Sequence, residues 1–267
     1  MFQYLSNLSM PLISVIIPVY NHAHTIKRCL DGIFAQTYKP TEIIIVNDGS
    51  TDNFSSVIAT CHPSSNCHPE LVSGSLSVIT QPNHGAASAR NRGFAESKGD
   101  YVIFWDADTI AKPDMLEKMY KALQDHPEAS YSYSQFKFGW KKIKSHAFDA
   151  NLLKKLNYID TTSLIRRSAL CHPEAANCHP ELVSGSPSGP FDASLHRFQD
   201  WDLFLTLLEQ NKNGIFIPEV LFKKTVGTRQ GISSWLPSFV YKFFNLKKVQ
   251  KYNEAKQIIL KKHNLIS

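Results

Sequence analysis

No run in this 267-residue sequence approaches the roughly 18 to 20 consecutive apolar residues that a membrane-spanning helix needs. The opening segment, MFQYLSNLSMPLISVIIPVY, lacks the charged start of a secretory signal, and its apolar part has the make-up of a strand. A cytoplasmic location is the expectation that follows, and with it free thiols rather than disulfides. No glycine-rich, lysine-containing phosphate loop accompanies SVIIPVYN, which argues against a nucleotidyltransferase. Acid is nearly absent from one region: between Ile232 and Ser267, Glu254 stands alone against seven lysines. That tail accounts for the whole net charge of +6 and leaves the body near neutral. A basic tail on a neutral body points to an accessory contact and not to nucleic acid, and there a weak peripheral contact at the inner membrane face competes with ordinary packing of an amphipathic helix. What is present, 43% apolar residues with 11% aromatics, excludes disorder and suffices for one large α/β domain or two modest ones.

Four of the five cysteines and four of the eleven histidines fall in one internal repeat. Residues 61–75 read CHPSSNCHPELVSGS and residues 171–186 read CHPEAANCHPELVSGS. Clustered Cys and His invite a zinc reading. Against it, the cysteines stand six apart in the first copy and seven in the second, a slip that a site fixing its ligands to tenths of an ångström does not tolerate. Both copies are polar and rich in Pro, Ser and Gly, so they read as surface-loop insertions, which cost little in closure entropy. Cys29 falls instead on an apolar helical face and reads as core.

With the repeats set aside, strands and helices alternate. Strands are predicted over residues 12–19, 42–46, 76–80 and 101–105. The Ile- and Val-rich runs among them carry the pattern of strands buried on both faces. Helices are predicted over 24–36, with Ile26, Cys29, Leu30, Ile33 and Phe34 on one stripe, over 86–97, and from Pro113 through Leu123. This alternation implies an α/β fold with a mostly parallel central sheet flanked by helices. The second half is less regular, with strands over 130–138, 158–165 and 215–218, a helix over 201–210, and one or two amphipathic helices after Trp235.

Ligands of an open parallel sheet bind beyond the carboxyl ends of its strands. Three predicted strands end there in polar residues: Pro18-Val19-Tyr20-Asn21, Asn47-Asp48-Gly49-Ser50-Thr51-Asp52 and Asp106-Ala107-Asp108. Two carboxylates one residue apart suit a divalent cation such as Mg²⁺ or Mn²⁺ that also takes phosphate oxygens. Asp48 can accept from a base or a ribose. Ser50 or Thr51 can cap the following helix. Arg90, near the start of a helix of small residues, suits either a phosphate or an ion pair with a nearby Asp. Downstream, Asp200 and Asp202 open an apolar helix. Capping explains at least one of them, and the other can serve as a general base.

The segments SVIIPVYN (14–21), IIIVNDGSTD (43–52), GAASARNRGFAESKGDYVIFWDAD (85–108) and GPFDASLHRFQDWDLFL (189–205), in this order, resemble the family 2 glycosyltransferases of the GT-A fold. The resemblance implies one GT-A domain over 10–230, with a nucleotide-binding half near 10–120 and an acceptor half near 121–230, followed by a basic tail over 231–267. It implies an inverting transfer from a nucleoside-diphosphate sugar, UDP by family habit, to a hydroxyl of a saccharide or lipid-linked acceptor, as in cell-surface polysaccharide synthesis. By position, Pro18, Tyr20, Asn21, Asp48, Ser50, Arg90 and Asp106 would meet the nucleotide sugar. Asp108, with Asp106, would hold Mn²⁺ or Mg²⁺, and Asp200 would be the catalytic base. The sequence departs from the family pattern at Gln199, where an acid is common, and at Thr109, where an Asp is frequent. The family's metal-proximal His has no clear counterpart, and Arg229 is the candidate for that region. The rival reading is a binding-only member disabled by its insertions.

Overall fold

The computed structural model describes residues 10–61, 75–171, 189–225 and 247–266. Most of both repeats, and Arg229, lie outside the described residues. The N-terminal half runs β1 (Ile13–Val19), α1 (Ala23–Phe34), β2 (Thr41–Asp48), α2 (Phe54–Thr60), β3 (Leu76–Gln81), α3 (Ala86–Glu96) and β4 (Tyr101–Phe104). After it come β5 (Thr109–Ala111), α4 (Met115–Asp125), β6 (Tyr131–Phe138), β7 (Lys141–Ile143), α5 (Ala150–Leu153), β8 (Leu164–Arg166) and α6 (Arg167–Leu170). The last elements are α7 (Gln199–Glu209), β9 (Gly214–Lys224) and α8 (Lys247–Lys262).

One sheet collects all these strands in the order β3-β2-β1-β4-β8-β6-β9-β5, with β7 paired to β6. The first four strands are parallel, as their intervening helices require. The mostly parallel sheet read from the sequence is corrected beyond β4. There β8 runs antiparallel to β4 and to β6, β7 antiparallel to β6, and β5 antiparallel to β9, so the sheet is mixed. Only β6 and β9 restore a parallel pair. For β7 the reason is connection length: a parallel return needs a crossover of a dozen or more residues, whereas β6 and β7 are joined by Gly139 and Trp140 alone.

Burial on both faces explains why the first strands read as continuous apolar runs. On β1, Ile13, Val15, Ile17 and Val19 pack with Ile26, Leu30 and Ile33 of α1 and with Met115 and Met119 of α4. Ile16 faces the other way, toward Ala87 and Phe94 of α3. Helix α3 lies so close to the sheet that a Cβ at Gly93 would stand 2.4 Å from Ile16 Cγ2. Cys29 is buried in the first of these clusters, as its stripe predicts, and is free. Cys171 is disulfide-bonded, against the expectation of free thiols, which rested on location and not on geometry.

Three boundaries differ from the sequence reading for local reasons. Strand β8 starts at Leu164 and not near Tyr158, because Asp160 bends the chain, its Oδ1 accepting from Thr162 N–H at 2.9 Å. Strand β9 continues past Pro218, and the ladder absorbs the proline, which has no N–H to donate, in a register shift that pairs Ser134 with Ile217 but Gln135 with Val220. Neither Ser50 nor Thr51 caps α2. Asp52 does that work, accepting from Phe54 N–H through Oδ1 and from Ala23 N–H through Oδ2, so that one carboxylate joins two helix starts.

Helix α8 is anchored to the body. Val249 and Ile259 are buried. Lys262 Nζ meets Asp192 Oδ2 at 2.7 Å and Asp202 Oδ1 at 2.8 Å. The His263 ring lies between two carboxylates of α7, Nε2 to Asp202 Oδ1 at 2.9 Å and Nδ1 to Glu209 Oε1 at 2.8 Å. With an acceptor at each nitrogen, the doubly protonated ring satisfies both bonds. Burial opposes that charge, but the hydrogen bonds to Asp202 and Glu209 outweigh it and raise the pKa above 6.5. A raised pKa stabilises the fold fully below the unfolded value and loses that contribution as pH rises through the folded value. His263→Gln is therefore expected to cost about 2 kcal/mol near pH 6, shrinking as the pH rises, in urea denaturation compared across pH.

Candidate active site

A cleft of about 840 Å³ opens beyond the carboxyl ends of β1, β2 and β4, of the size that holds a ligand larger than a simple metabolite. It is lined by Pro18, Tyr20, Asn21, Asp48, Arg90, Asp106, Asp108 and Asp200, among others. Every site residue read from the sequence thus faces it except Ser50. That side chain stands behind the wall, where Ser50 Oγ accepts from Asn21 N–H at 3.0 Å. Asn21 takes a left-handed conformation, φ 56°, and its Oδ1 accepts from Thr51 N–H at 2.8 Å. These bonds staple the tip of β1 to the tip of β2.

Asp48 is buried and acts first on its own chain. Its Oδ1 accepts from His84 N–H at 2.9 Å and from Gln81 Nε2 at 2.8 Å, and its Oδ2 from Gly85 N–H at 2.8 Å. The carboxylate therefore fixes the loop that leads into α3, where Gly85 stands at φ 90°.

The centre of the cleft is an ionic network. Arg90 Nη2 donates to Asp106 Oδ1 at 2.9 Å and Arg90 Nη1 to Gln199 Oε1 at 2.7 Å, so Arg90 takes the ion-pair alternative. Lys224 Nζ, at the end of β9, meets Asp106 Oδ2 at 2.7 Å and Asp160 Oδ2 at 2.6 Å. Burial alone would raise the Asp106 pKa, but the charges of Lys224 and Arg90 outweigh it and hold the carboxyl ionised. Lys224 is buried in turn and kept charged by Asp106 and Asp160. Sequence reading missed Lys224 and Asp160. Both lie where the local pattern misleads: the apolar run that predicts β9 stops at Pro218, and the run predicted as a strand over 158–165 spans Asp160.

The two acids that open α7 separate. Asp200 faces the cleft, while Asp202 is buried on the far side against Lys262 and His263. The N-cap position, Phe198 at φ 58°, offers no side-chain bond, and Asp200 Oδ1 itself accepts from the first-turn Trp201 N–H at 2.9 Å, so Asp200 helps to satisfy the helix start while it faces the cleft. Burial pushes the Asp200 carboxyl up from its ordinary value. The Asn157 amide opposes that shift and the Asp160 charge adds to it.

For a divalent cation, the donor chemistry fits Asp108, a half-buried carboxylate on the cleft wall, better than Asp106, whose two oxygens already face cations. Among the described residues, no three His, Cys, Asp or Glu side chains gather closely enough to hold a metal by themselves. A cation at Asp108 would thus take most of its oxygen ligands from a bound diphosphate and water. His22, also on the wall, has its pKa lowered by burial against the pull of Asp108 and Asp106.

Residues 14–172 match the model of Glycosyl transferase family 2. The chain belongs to this family. GlyG, a glycosyltransferase of Streptococcus pneumoniae serotype 4 (strain ATCC BAA-334 / TIGR4), is 37% identical over 116 residues, which cover 43% of this chain and 36% of GlyG. The chain thus matches well under two-thirds of that relative's length. Two solved structures share the fold. S. aureus TarS 1-349 in complex with UDP-GlcNAc has a TM-score of 0.63 at 16% identity, over 97% of this chain and 74% of that one. The mannosyltransferase PcManGT from Pyrobaculum calidifontis, in complex with GDP-Man and Mn²⁺, has a TM-score of 0.60 at 21% identity, over 85% of this chain and 60% of that one. The family 2 departure at Gln199 has a local account: its Oε1 accepts from Arg90, the contact a carboxylate there would also make. No helix among the described residues of this family 2 chain is long and apolar enough to cross a membrane.

Proposed function

We propose that the chain is an inverting glycosyltransferase that moves a sugar from a nucleoside-diphosphate sugar, UDP being the preferred nucleotide, to a hydroxyl of a saccharide or lipid-linked acceptor. Cell-surface polysaccharide synthesis is the setting this reading favours. The observation that carries it is the meeting of Asp48, Asp106, Asp108 and Asp200 on one cleft at the strand tips of a family 2 chain. The nucleotide sugars bound to TarS and PcManGT, and the Mn²⁺ bound to PcManGT, support the choice of donor and cation. In this reading residues 10–120 form the donor half and 121–230 the acceptor half.

Pro18, Tyr20, Asn21 and Asp48 bind the nucleoside, with Ser50 bracing Asn21. The unused lone pairs of Asp106 accept from the ribose, since an ionised carboxylate offers about four acceptor positions. Arg90 and Lys224 keep Asp106 ionised and carry positive charge at the place where the diphosphate sits. Mn²⁺ or Mg²⁺ on Asp108 would supply further positive charge for the departing diphosphate. Asp200 takes the proton of the acceptor hydroxyl. The new bond from that oxygen to the anomeric carbon forms as the bond to the diphosphate breaks on the opposite face, which inverts the centre.

The test is thermal stabilisation by a panel of nucleoside diphosphates, with and without Mn²⁺, in wild type and Asp108→Ala. Ligand binding to the native state raises stability by mass action, about 2.7 kcal/mol at a hundredfold excess over Kd. The expected result is stabilisation by UDP that Mn²⁺ strengthens and Asp108→Ala loses. A folded wild type that responds to no nucleotide sinks the donor reading.

A further inference from the structure

Hairpin β6–β7 carries two features that do nothing for the fold. Between Glu128 and Asp149 the sequence has no acid, yet Lys137, Lys141, Lys142 and Lys144 fall within it. Lys137 stands directly opposite Lys142 on the ladder, where like charges destabilise a strand pair. At the tip, after Gly139 at φ 59°, Trp140 is 92% exposed, the most open large apolar side chain among the described residues. An indole left in water forfeits the burial that makes tryptophan useful to a core.

Strand alternation separates the hairpin's two faces. Phe136, Phe138 and Ile143 line the cleft. Lys137 and Lys142, one position out of phase with them, lie on the other face, and Trp140 does not line the cleft. A saccharide running to the reaction centre would be gripped on the cleft face, so the basic face addresses something outside. An exposed indole flanked by lysines matches the interface of an anionic bilayer, with the ring at head-group level and the ammonium groups on lipid phosphates. Helix α8, the sequence's candidate for such a contact, spends Val249 and Ile259 on the core instead.

The geometry points to hairpin β6–β7 as a membrane-surface anchor, Trp140 entering the interface and Lys137 and Lys142 holding anionic lipid, so that the cleft it walls opens beside the bilayer. The test is co-sedimentation of the full chain with phosphatidylcholine vesicles, pure or mixed with phosphatidylglycerol, at low and high salt. Binding to the anionic vesicles alone, weakened by salt, is expected. Each lysine is worth roughly fivefold, so Lys137→Glu with Lys142→Glu is expected to lower partitioning by more than tenfold. Anionic vesicles should also shift the tryptophan emission of wild type to the blue, and Trp140→Phe should abolish that shift. All three side chains are exposed, so an unchanged unfolding midpoint checks that the variants are folded. Vesicle binding that survives all these substitutions overturns the assignment. So does an absence of vesicle binding, including the case where the same lysines instead retain the protein on immobilised dextran sulfate, which would make the partner a polyanionic saccharide.

Discussion

Asp200→Asn is expected to lower kcat by about a thousandfold, within the range of about 10² to 10⁴ that a general base supplies, while leaving nucleotide-dependent stabilisation intact. The substitution keeps the shape of the side chain and removes its basicity. The carboxyl is held in place at the first turn of α7, where Oδ1 accepts from Trp201 N–H at 2.9 Å, and Trp201 is itself locked by its indole N–H to Leu153 O at 2.7 Å. Burial has raised the Asp200 pKa above 3.8, which makes the ionised form a stronger base. The same shift sets a pH dependence. As pH falls through that raised value the base is protonated, so kcat/KM of the wild type should show an acid limb above the ordinary carboxylate range. Asp200→Asn should lack that limb. Equal losses in kcat and kcat/KM would mark an interaction made in the transition state. Turnover within tenfold of wild type would remove Asp200 from the role. Loss of nucleotide stabilisation would make it a donor-site residue instead.

How much of this could be read in advance follows from where each residue sits. Where a strand is buried on both faces and ends in polar residues, sequence and site coincide, which is why Pro18, Asp48, Asp106 and Asp108 all reach the cleft. Local pattern could not divide Asp200 from Asp202, because the two differ in what faces them across the fold. Asp202 is claimed by Lys262 and His263, some sixty residues downstream. Ser50 carried the right motif and the wrong expectation: its hydroxyl supports Asn21 and does not face the cleft. The greatest omission is the pair around Asp106. Lys224 ends a strand that a proline interrupts, and Asp160 sits in a bend that its own side chain creates. In both places the tertiary context decides the local structure, a bulge accepted because β6 and β5 pair on either side of it and an irregular turn accepted because its carboxylate has a buried partner.

That pairing makes a second, testable claim about how the site is held together. Lys224→Met is expected to destabilise the protein by about 3–5 kcal/mol, because removing one partner of a buried ion pair leaves the other charge uncompensated. Here two carboxylates are left, Asp106 and Asp160, and the lysine side chain is 8% exposed, so water does little to replace it. Urea denaturation gives the number directly. The reason is electrostatic and not steric, and a second variant separates the two. With Asp160→Asn added to Lys224→Met, one orphaned charge disappears while Asp106 keeps Arg90 at 2.9 Å. Part of the lost stability should return, and the double variant should be more stable than Lys224→Met alone. If the methionine were merely a poor fit, changing Asp160 would restore nothing. Binding should follow the same order, since Asp106 with one partner gone would draw Arg90 wholly to itself and withdraw positive charge from the diphosphate position. A Lys224→Met protein as stable as wild type would show that the Asp106–Lys224–Asp160 bridge holds nothing together, and the cleft would need another account of how these two acids are kept close.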